Sequence, residues 1–216
     1  MELTCWGQSG VRIARDGQAL AIDPGAFTDE AIFDGVQAVL ITHEHIDHVV
    51  PEKLAPRVAE NPELLLWAPD PIAQQLIDAG APAERVQRVA AGDTFTAAGL
   101  EVSVIGRDHA QIHPLIPIAA NVAYLIEGAL LHPGDSFTQA PPGISPTVLL
   151  LPVGGPWLKL SDSIDYLHAV GPEIAVPVHD AMLTDAGRGL ADRIVSGLAG
   201  STQYRRLGVG EPLTIA

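Results

Sequence analysis

Three histidines and an aspartate lie within six consecutive positions, in the run His43-Glu44-His45-Ile46-Asp47-His48. Imidazole nitrogens and carboxylate oxygens are the ligands that a borderline divalent cation such as zinc prefers. Two histidines one residue apart in an extended segment point to the same side, so His43 and His45 can chelate one ion. A turn in the loop would bring Asp47 and His48 to a second ion beside it. The run therefore predicts the core of a two-metal centre.

Two ions need more ligands than this run supplies, and the sequence offers three later candidates. Each is a residue of a metal-binding type that comes shortly after an apolar, strand-like run: His109, Asp135 and His179. Because side chains at strand ends commonly build ligand sites, these residues are expected to join the first four.

The elements around the histidine run support its position in a site. Residues 38–41 form a continuous apolar stretch, which is typical of a strand buried on both faces. Pro51 then stands where a helix can begin. The run thus occupies a strand-to-helix loop, where open α/β folds bind their ligands.

Apolar runs and turn residues predict the other elements. Strands are expected at residues 3–6, 11–14, 19–22, 64–67, 118–126, 129–132, 147–151 and 174–178, and within 85–105. Helices are expected from Asp70 as cap to about Gly80, from Ser161 or Asp162 as cap to about 170, and over 185–198, before a short β tail. This order predicts an α/β (α+β) fold in a single domain, residues 1–216, with two packed sheets flanked by helices.

Composition narrows the function classes. The 216 residues carry a formal net charge of −14, which disfavours nucleic acid and anionic membranes as partners. No apolar run reaches membrane-spanning length. Cys5 is the only cysteine, so no intrachain disulfide can form, and strand packing explains it better than catalysis. A cytoplasmic protein with a small-molecule substrate is expected, and homo-oligomerisation stays open.

The ligand run, followed by His109, by Gly134-Asp135-Ser136 and by Pro177-Val178-His179, resembles the metallo-β-lactamase fold superfamily. The motifs at Trp6-Gly7, 22–24 and 151–155 are similar to a branch of compact metal-dependent hydrolases that includes ascorbate-6-phosphate lactonase-like proteins. The resemblance implies an αββα four-layer sandwich with the metals at one edge. Gly7-Gln8 departs from the Gly-His that this branch often has.

The resemblance also implies a role for each ligand. His43, His45 and His109 would hold the first metal; Asp47, His48 and His179 would hold the second; Asp135 would bridge both. The cofactors would be two divalent ions, for which Zn²⁺ is our prediction and Mn²⁺, Fe²⁺ and Ni²⁺ are alternatives. A metal-bridging hydroxide would then attack a small ester, lactone or phosphodiester, with Asp47 and Asp135 as the catalytic residues.

Several further residues have both a functional and a structural interpretation. His113, Trp157 and Lys159 are candidates for the substrate pocket, although an exposed loop histidine and a solvated lysine are equally ordinary. Asp23 could orient a metal-bound imidazole or cap a turn. Packing roles are expected for the two remaining histidines, His132 and His168.

Three other functions fit the same ligands. One is a nuclease or phosphodiesterase. The acidic charge argues against it, and so does the short interval of 44 positions from Asp135 to His179, because larger nucleases of this superfamily insert a domain there. A second is a mononuclear iron dioxygenase on the same fold. The third is a non-catalytic metal-binding protein, which the complete ligand set disfavours.

Overall fold

The computed structural model describes residues 1–215, in which fourteen strands alternate with four α-helices. The strands are β1 (Glu2–Cys5), β2 (Val11–Arg15), β3 (Gln18–Ile22), β4 (Ala38–Leu40), β5 (Leu65–Ala68), β6 (Val86–Arg88), β7 (Thr94–Ala97), β8 (Leu100–Ile105), β9 (Ala123–Ile126), β10 (Leu130–His132), β11 (Val148–Pro152), β12 (Ile174–Val178), β13 (Gln203–Tyr204) and β14 (Pro212–Thr214). The helices are α1 (Pro51–Glu60), α2 (Asp70–Asp78), α3 (Leu160–Val170) and α4 (Asp185–Leu198).

The strands form two sheets of seven. The first has the order β14-β1-β2-β3-β4-β5-β6 and the second has the order β13-β12-β11-β10-β9-β8-β7. Each sheet is part antiparallel and part parallel: β3 to β6 are parallel in the first, and β10 to β13 are parallel in the second. Parallel strands need crossover connections, which α1 and α3 provide between β4 and β5 and between β11 and β12.

Three apolar clusters separate four layers. The inner cluster lies between the sheets and includes Leu20 and Leu40 from the first sheet and Tyr124 and Leu150 from the second. A second cluster packs the outer face of the first sheet against α1 and α2. A third packs the outer face of the second sheet against α3 and α4. The predicted αββα four-layer sandwich is therefore confirmed.

Two predicted helix caps are wrong. Asp70 is the first residue of α2 and does not cap it; its carboxylate pairs with Arg88 on β6 instead. Helix α3 begins at Leu160, after Lys159, and neither Ser161 nor Asp162 precedes it. Asp162 nevertheless satisfies the helix start, because its side chain accepts the Lys159 backbone N–H at 2.8 Å.

The predicted strand over 118–126 is wrong in its first half. Regular pairing begins only at Ala123, and the preceding residues run as a loop with an isolated bridge between Asp108 and Ala120. The loop is held by the His109 N–H, which donates to the Ala119 carbonyl at 3.0 Å. The residues that would otherwise extend the strand therefore form a loop that closes over His109.

Among residues 1–215, no helix combines the length and the apolar character needed to cross a bilayer.

Candidate metal centre

The histidine run forms a compact loop between β4 and α1. The backbone N–H groups of His48 and Val49 both donate to the His45 carbonyl, at 2.9 and 3.0 Å, which turns the chain between the two halves of the run. His43 and His48 are buried, whereas His45 and Asp47 are partly exposed. The turn separates the first two histidines from Asp47 and His48, as the sequence predicted.

Three loops of the second sheet bring the later ligands to this turn. His109 follows β8, Asp135 follows β10 and His179 follows β12. Asp135 is placed by Gly134, which has φ +60°, and a Cβ at Gly134 would overlap the side chain of Asn121. His179 itself has φ 60°, a conformation that a non-glycine residue adopts only when its surroundings impose it.

The seven predicted ligands lie in two adjoining groups. The first group is His43, His45, His109 and Asp135, and the second group is Asp47, His48 and His179; within each group the ligand atoms are all within 4.8 Å of one another. Asp135 links the groups, because its Oδ2 is 3.3 Å from His109 Nε2 and its Oδ1 is 3.1 Å from His48 Nε2. The structure thus brings all seven residues together with Asp135 between the two groups, and their division between two ions stays a prediction.

The unpaired atoms of the centre indicate that it is built for cations. His48 Nε2, His109 Nε2, His179 Nε2 and Asp135 Oδ1 are buried and have no hydrogen-bond partner among the described residues. Buried polar atoms without partners are costly, so a cluster of them facing one point needs a ligand. A divalent ion accepts imidazole nitrogen and carboxylate oxygen together, and the residues therefore fit the two-ion site that the sequence predicts.

Oxygen atoms hold the opposite nitrogens of the buried histidine rings. His43 Nδ1 is 3.0 Å from Thr42 Oγ1, and His48 Nδ1 is 2.7 Å from Asp23 Oδ2. His109 Nδ1 is 2.5 Å from the Ala110 carbonyl, and His179 Nδ1 is 2.6 Å from the Gly154 carbonyl. Each oxygen can accept an Nδ1 proton, and Nε2 is then the ring nitrogen on the side of the centre, as in metal-ligating histidines.

The charges of the centre shift the pKa values of its members. Burial lowers the pKa of His43 well below its usual value, which keeps the ring neutral. Burial acts to raise the pKa of Asp135, but His48, His109 and His179 hold it well below its usual range. Neutral imidazole and ionised carboxylate are the forms that bind a metal.

Asp23 is a buried carboxylate that supports the second group. Its Oδ1 accepts the Thr42 backbone N–H at 2.8 Å, and its Oδ2 accepts the Thr42 hydroxyl at 2.6 Å and the His48 ring proton. Asp23 thereby orients an imidazole, which was one of its two sequence-based interpretations.

Gln8 is a contributor that sequence reasoning noted only as a departure from a pattern. Its Nε2 donates to Asp47 Oδ2 at 2.8 Å, and its Oε1 accepts the Ala181 N–H at 2.9 Å. Its backbone carbonyl accepts the His179 N–H at 3.0 Å. Gln8 is buried and has φ 49°. This one strained residue, which follows β1, therefore contacts both loops that carry the second group.

The three residues assigned to the substrate pocket lie in different settings. Trp157 is buried inside the centre, where its indole N–H donates to Asp135 Oδ2 at 2.8 Å. His113 is exposed, and its Nδ1 accepts the Leu115 N–H at 3.2 Å within a loop. Lys159 is exposed at the start of α3. Substrate contacts by these residues stay predictions.

The two remaining histidines and the single cysteine lie outside the proposed ligand set. His132 Nε2 is 2.9 Å from the Ser9 carbonyl, and His168 Nε2 is 2.7 Å from the Leu198 carbonyl, so both rings join backbone segments. Burial, with a contribution from Asp180, raises the pKa of the Cys5 thiol to about 12. The thiol is therefore protonated near neutral pH and is a poor nucleophile.

Comparisons with known proteins agree with this geometry. Residues 2–179 match the family model described as a beta-lactamase superfamily domain. The chain is 39% identical to protein Rv0786c of Mycobacterium tuberculosis over 88% of this chain and 89% of that protein. It is 26% identical to a UPF0173 metal-dependent hydrolase of Polynucleobacter asymbioticus, over 82% of this chain and 73% of the relative.

A similar fold occurs in a solved structure. Igni18, described as a metallo hydrolase from Ignicoccus hospitalis, superposes with a TM-score of 0.73 at 21% identity, covering 100% of this chain and 98% of Igni18. At that identity the likeness concerns the fold alone.

Proposed function

Because this chain belongs to the beta-lactamase superfamily domain family and is a metal-dependent hydrolase of that fold, we propose that it cleaves a small ester, lactone or phosphodiester with two divalent ions. The observation that carries the proposal is the set of four buried, unpartnered ligand atoms of His48, His109, Asp135 and His179, which face one another across the two groups.

We assign the first ion to His43, His45 and His109 and the second to Asp47, His48 and His179, with Asp135 shared. Zn²⁺ is the proposed metal, because the donor set combines five imidazoles with two carboxylates. Divalent ions at such a site lower the pKa of bound water and polarise a carbonyl or phosphoryl oxygen.

The protein's own groups orient this chemistry. Trp157 donates to Asp135 Oδ2 and leaves Asp135 Oδ1 without a protein donor, so that the two oxygens of one carboxylate differ in environment. We propose that Asp135, while remaining a ligand, also passes the proton that the attacking water loses to the leaving oxygen. Asp47, the partly exposed carboxylate of the second group, is fixed by Gln8.

The charge of the molecule favours a small substrate over a polynucleotide. A formal net charge of −14 repels a phosphate backbone, and the segment between Asp135 and His179 is occupied by β11 and α3 with their loops. A nuclease is therefore the weaker candidate.

Metal quantification followed by a substrate screen tests the proposal. Protein loaded with zinc is expected to hold about two ions per chain and to hydrolyse at least one member of a panel of lactones, esters, thioesters, phosphodiesters and β-lactams. Chelation should abolish the turnover, and added zinc should restore it. One bound iron with substrate-dependent oxygen uptake would instead identify a dioxygenase, and two retained ions without any turnover would favour the non-catalytic alternative.

Asp135→Asn tests the proposed proton carrier. The variant is expected to bind both ions but to lose about 100-fold or more in kcat. Full turnover with both ions present would reject the proton-transfer role and leave Asp135 as a ligand only.

A further inference from the structure

The segment 110–119, which we call the apolar loop, arches over the first group. Its ends are fixed, because the Ala110 N–H donates to the Asp135 carbonyl at 2.8 Å and the His109 N–H donates to the Ala119 carbonyl at 3.0 Å. Both anchors involve metal ligands, so the loop has a set position relative to the centre.

The apolar loop exposes large hydrophobic side chains to solvent. Leu115 is 86% exposed, Ile116 is 46% exposed and Ile118 is 53% exposed. Ile46, which stands between two ligands of the histidine run, is 65% exposed. Single exposed apolar residues are ordinary, but three within four positions beside a catalytic centre mark a contact surface.

Two clefts run between this loop and the first group. The larger, of about 160 Å³, is lined by His43, Pro69, Ile72 and Ile118 among others. The smaller, of about 30 Å³, is lined by His45, His109, Ile116 and Ile118 among others. Ile118 borders both clefts, and each cleft is also lined by at least one of the proposed metal ligands. A group that fills either cleft would therefore lie directly against the reacting centre.

The linings of both clefts lack cationic side chains. Apart from the ligand histidines, Glu44 is the one ionisable residue that borders them in the described chain, and no lysine or arginine does. An anionic substituent would meet a carboxylate and hydrophobic walls there, which disfavours it. The volume is also below the roughly 300 Å³ at which pockets for drug-sized ligands begin, so the occupant must be narrow.

We infer that these clefts bind the aliphatic chain of an uncharged ester or lactone, and that Ile118 is the residue that determines preference for chain length. The inference rests on the proposed function, since it names the substrate class for that same centre. The carbonyl of such a substrate would lie at the metal ligands while its chain extends under the apolar loop.

A series of p-nitrophenyl esters from acetate to octanoate tests this on the zinc-loaded protein. For the natural chain, kcat/KM is expected to rise about two- to fourfold for each methylene that becomes buried, and to level off when the clefts are full. Ile118→Ser should lose most of this rise, so that its kcat/KM depends little on chain length. Leu115→Ser is the matched control, because Leu115 is exposed on the same loop but borders neither cleft.

Equal turnover of short and long esters by the natural chain would overturn the inference while leaving the hydrolase intact. Loss of the chain-length rise in Leu115→Ser as well as in Ile118→Ser would also overturn it, because the loop would then act as a whole. A dimer that dissociates in Ile118→Ser would show that a second copy covers the clefts, which contradicts a substrate chain there.

A binding measurement decides the inference even if no ester is hydrolysed. Isoleucine methyl groups are followed by NMR in the metal-free protein during titration with 2-butanone and with 2-decanone. The longer ketone is expected to bind at least about tenfold more tightly and to shift the methyls of Ile116 and Ile118. Absence of these shifts, or equal affinity for both ketones, would overturn the inference.

Discussion

The two ligand groups differ in what surrounds them. The second group is enclosed by polar supports, since Asp23 orients His48, Gln8 fixes Asp47 and the Gly154 carbonyl holds His179. The first group faces hydrophobic clefts, and its His45 is partly exposed. The first group therefore adjoins open clefts, whereas the second group is surrounded by polar groups of the protein.

This difference predicts separate roles for the two groups: metal affinity for the second and substrate access for the first. Outer hydrogen bonds set the orientation and basicity of metal ligands, so the second group should hold its ion the more tightly. In the first group Thr42 and the Ala110 carbonyl support His43 and His109, but His45 is partly exposed and is paired with His43 instead of an oxygen. The surroundings of this group suit a hydrophobic ligand. We expect substitutions around the second group to change metal retention, and those around the first to change substrate preference.

Replacing one histidine of each group gives the largest expected effects. His45→Ala and His48→Ala should each reduce hydrolysis by more than about 100-fold, beyond the range of outer-contact substitutions. They should differ in stability without metal, because His48 is fully buried against Asp23 and its loss removes the imidazole partner of that buried carboxylate, costing about 2–4 kcal/mol. Thermal unfolding of the metal-free variants measures this. Equal destabilisation by both variants would contradict the asymmetry.

Asp23→Asn is expected to weaken binding of the ion at the second group and to leave binding at the first group unchanged. The amide keeps the shape of the side chain but cannot accept from both Thr42 and His48, so zinc affinity of the second group should fall about 10- to 100-fold. Competition with a chromophoric chelator resolves two binding steps, of which only one should move. A parallel loss at both steps would mean that the groups do not act separately.

Gln8→Leu should have a smaller effect on the same binding step, about tenfold, because it removes the donor to Asp47. Gln8→His is the matched control, since histidine restores a ring N–H and is the residue that similar hydrolases often carry there. Retained affinity in Gln8→Leu would show that the hydrogen bond from the His179 N–H to the Gln8 backbone carbonyl is enough to position the loop.

Tyr124→Phe should have the smallest effect of these variants, and the effect should be the same for both groups. Tyr124 lies on β9 in the second sheet, and its hydroxyl donates to the Ile41 carbonyl of the first sheet at 2.8 Å. Losing this bond should lower the free energy of unfolding by about 1–2 kcal/mol. Denaturant unfolding measures the loss, and zinc titration should show the two binding steps unchanged relative to each other. A shift confined to one step would mean that the sheets position the groups independently.

The sequence was most informative where a residue of a metal-binding type followed a continuous apolar run. Continuous apolar runs predicted β4, β11 and β12, and the ligands after strands followed because sheet edges gather such side chains. Helix starts were less predictable, as Asp70 shows, because an acidic residue suits the cap and the first turn equally well.

Contacts between distant segments had no sequence signal. Trp157 and Asp135 are 22 positions apart, and only the folded chain brings the indole to the carboxylate. The strand predicted over 118–126 included the last two residues of the apolar loop, Ile118 and Ala119. The real conformation of the loop depends on anchors at His109 and Asp135, which local sequence does not encode. Gln8 was visible as a departure, but its contacts were not.

Backbone conformation adds a last consequence. Gln8, Asp23 and His179 all have positive φ although none is glycine. Such residues cost roughly 1–3 kcal/mol each, so the backbone at the metal centre lowers the net stability of the fold. A glycine at position 8 or 23 would relieve that cost and remove a contact to the centre. Sequences selected for thermal robustness alone should therefore drift away from these residues, and selection for metal-dependent activity should oppose that drift.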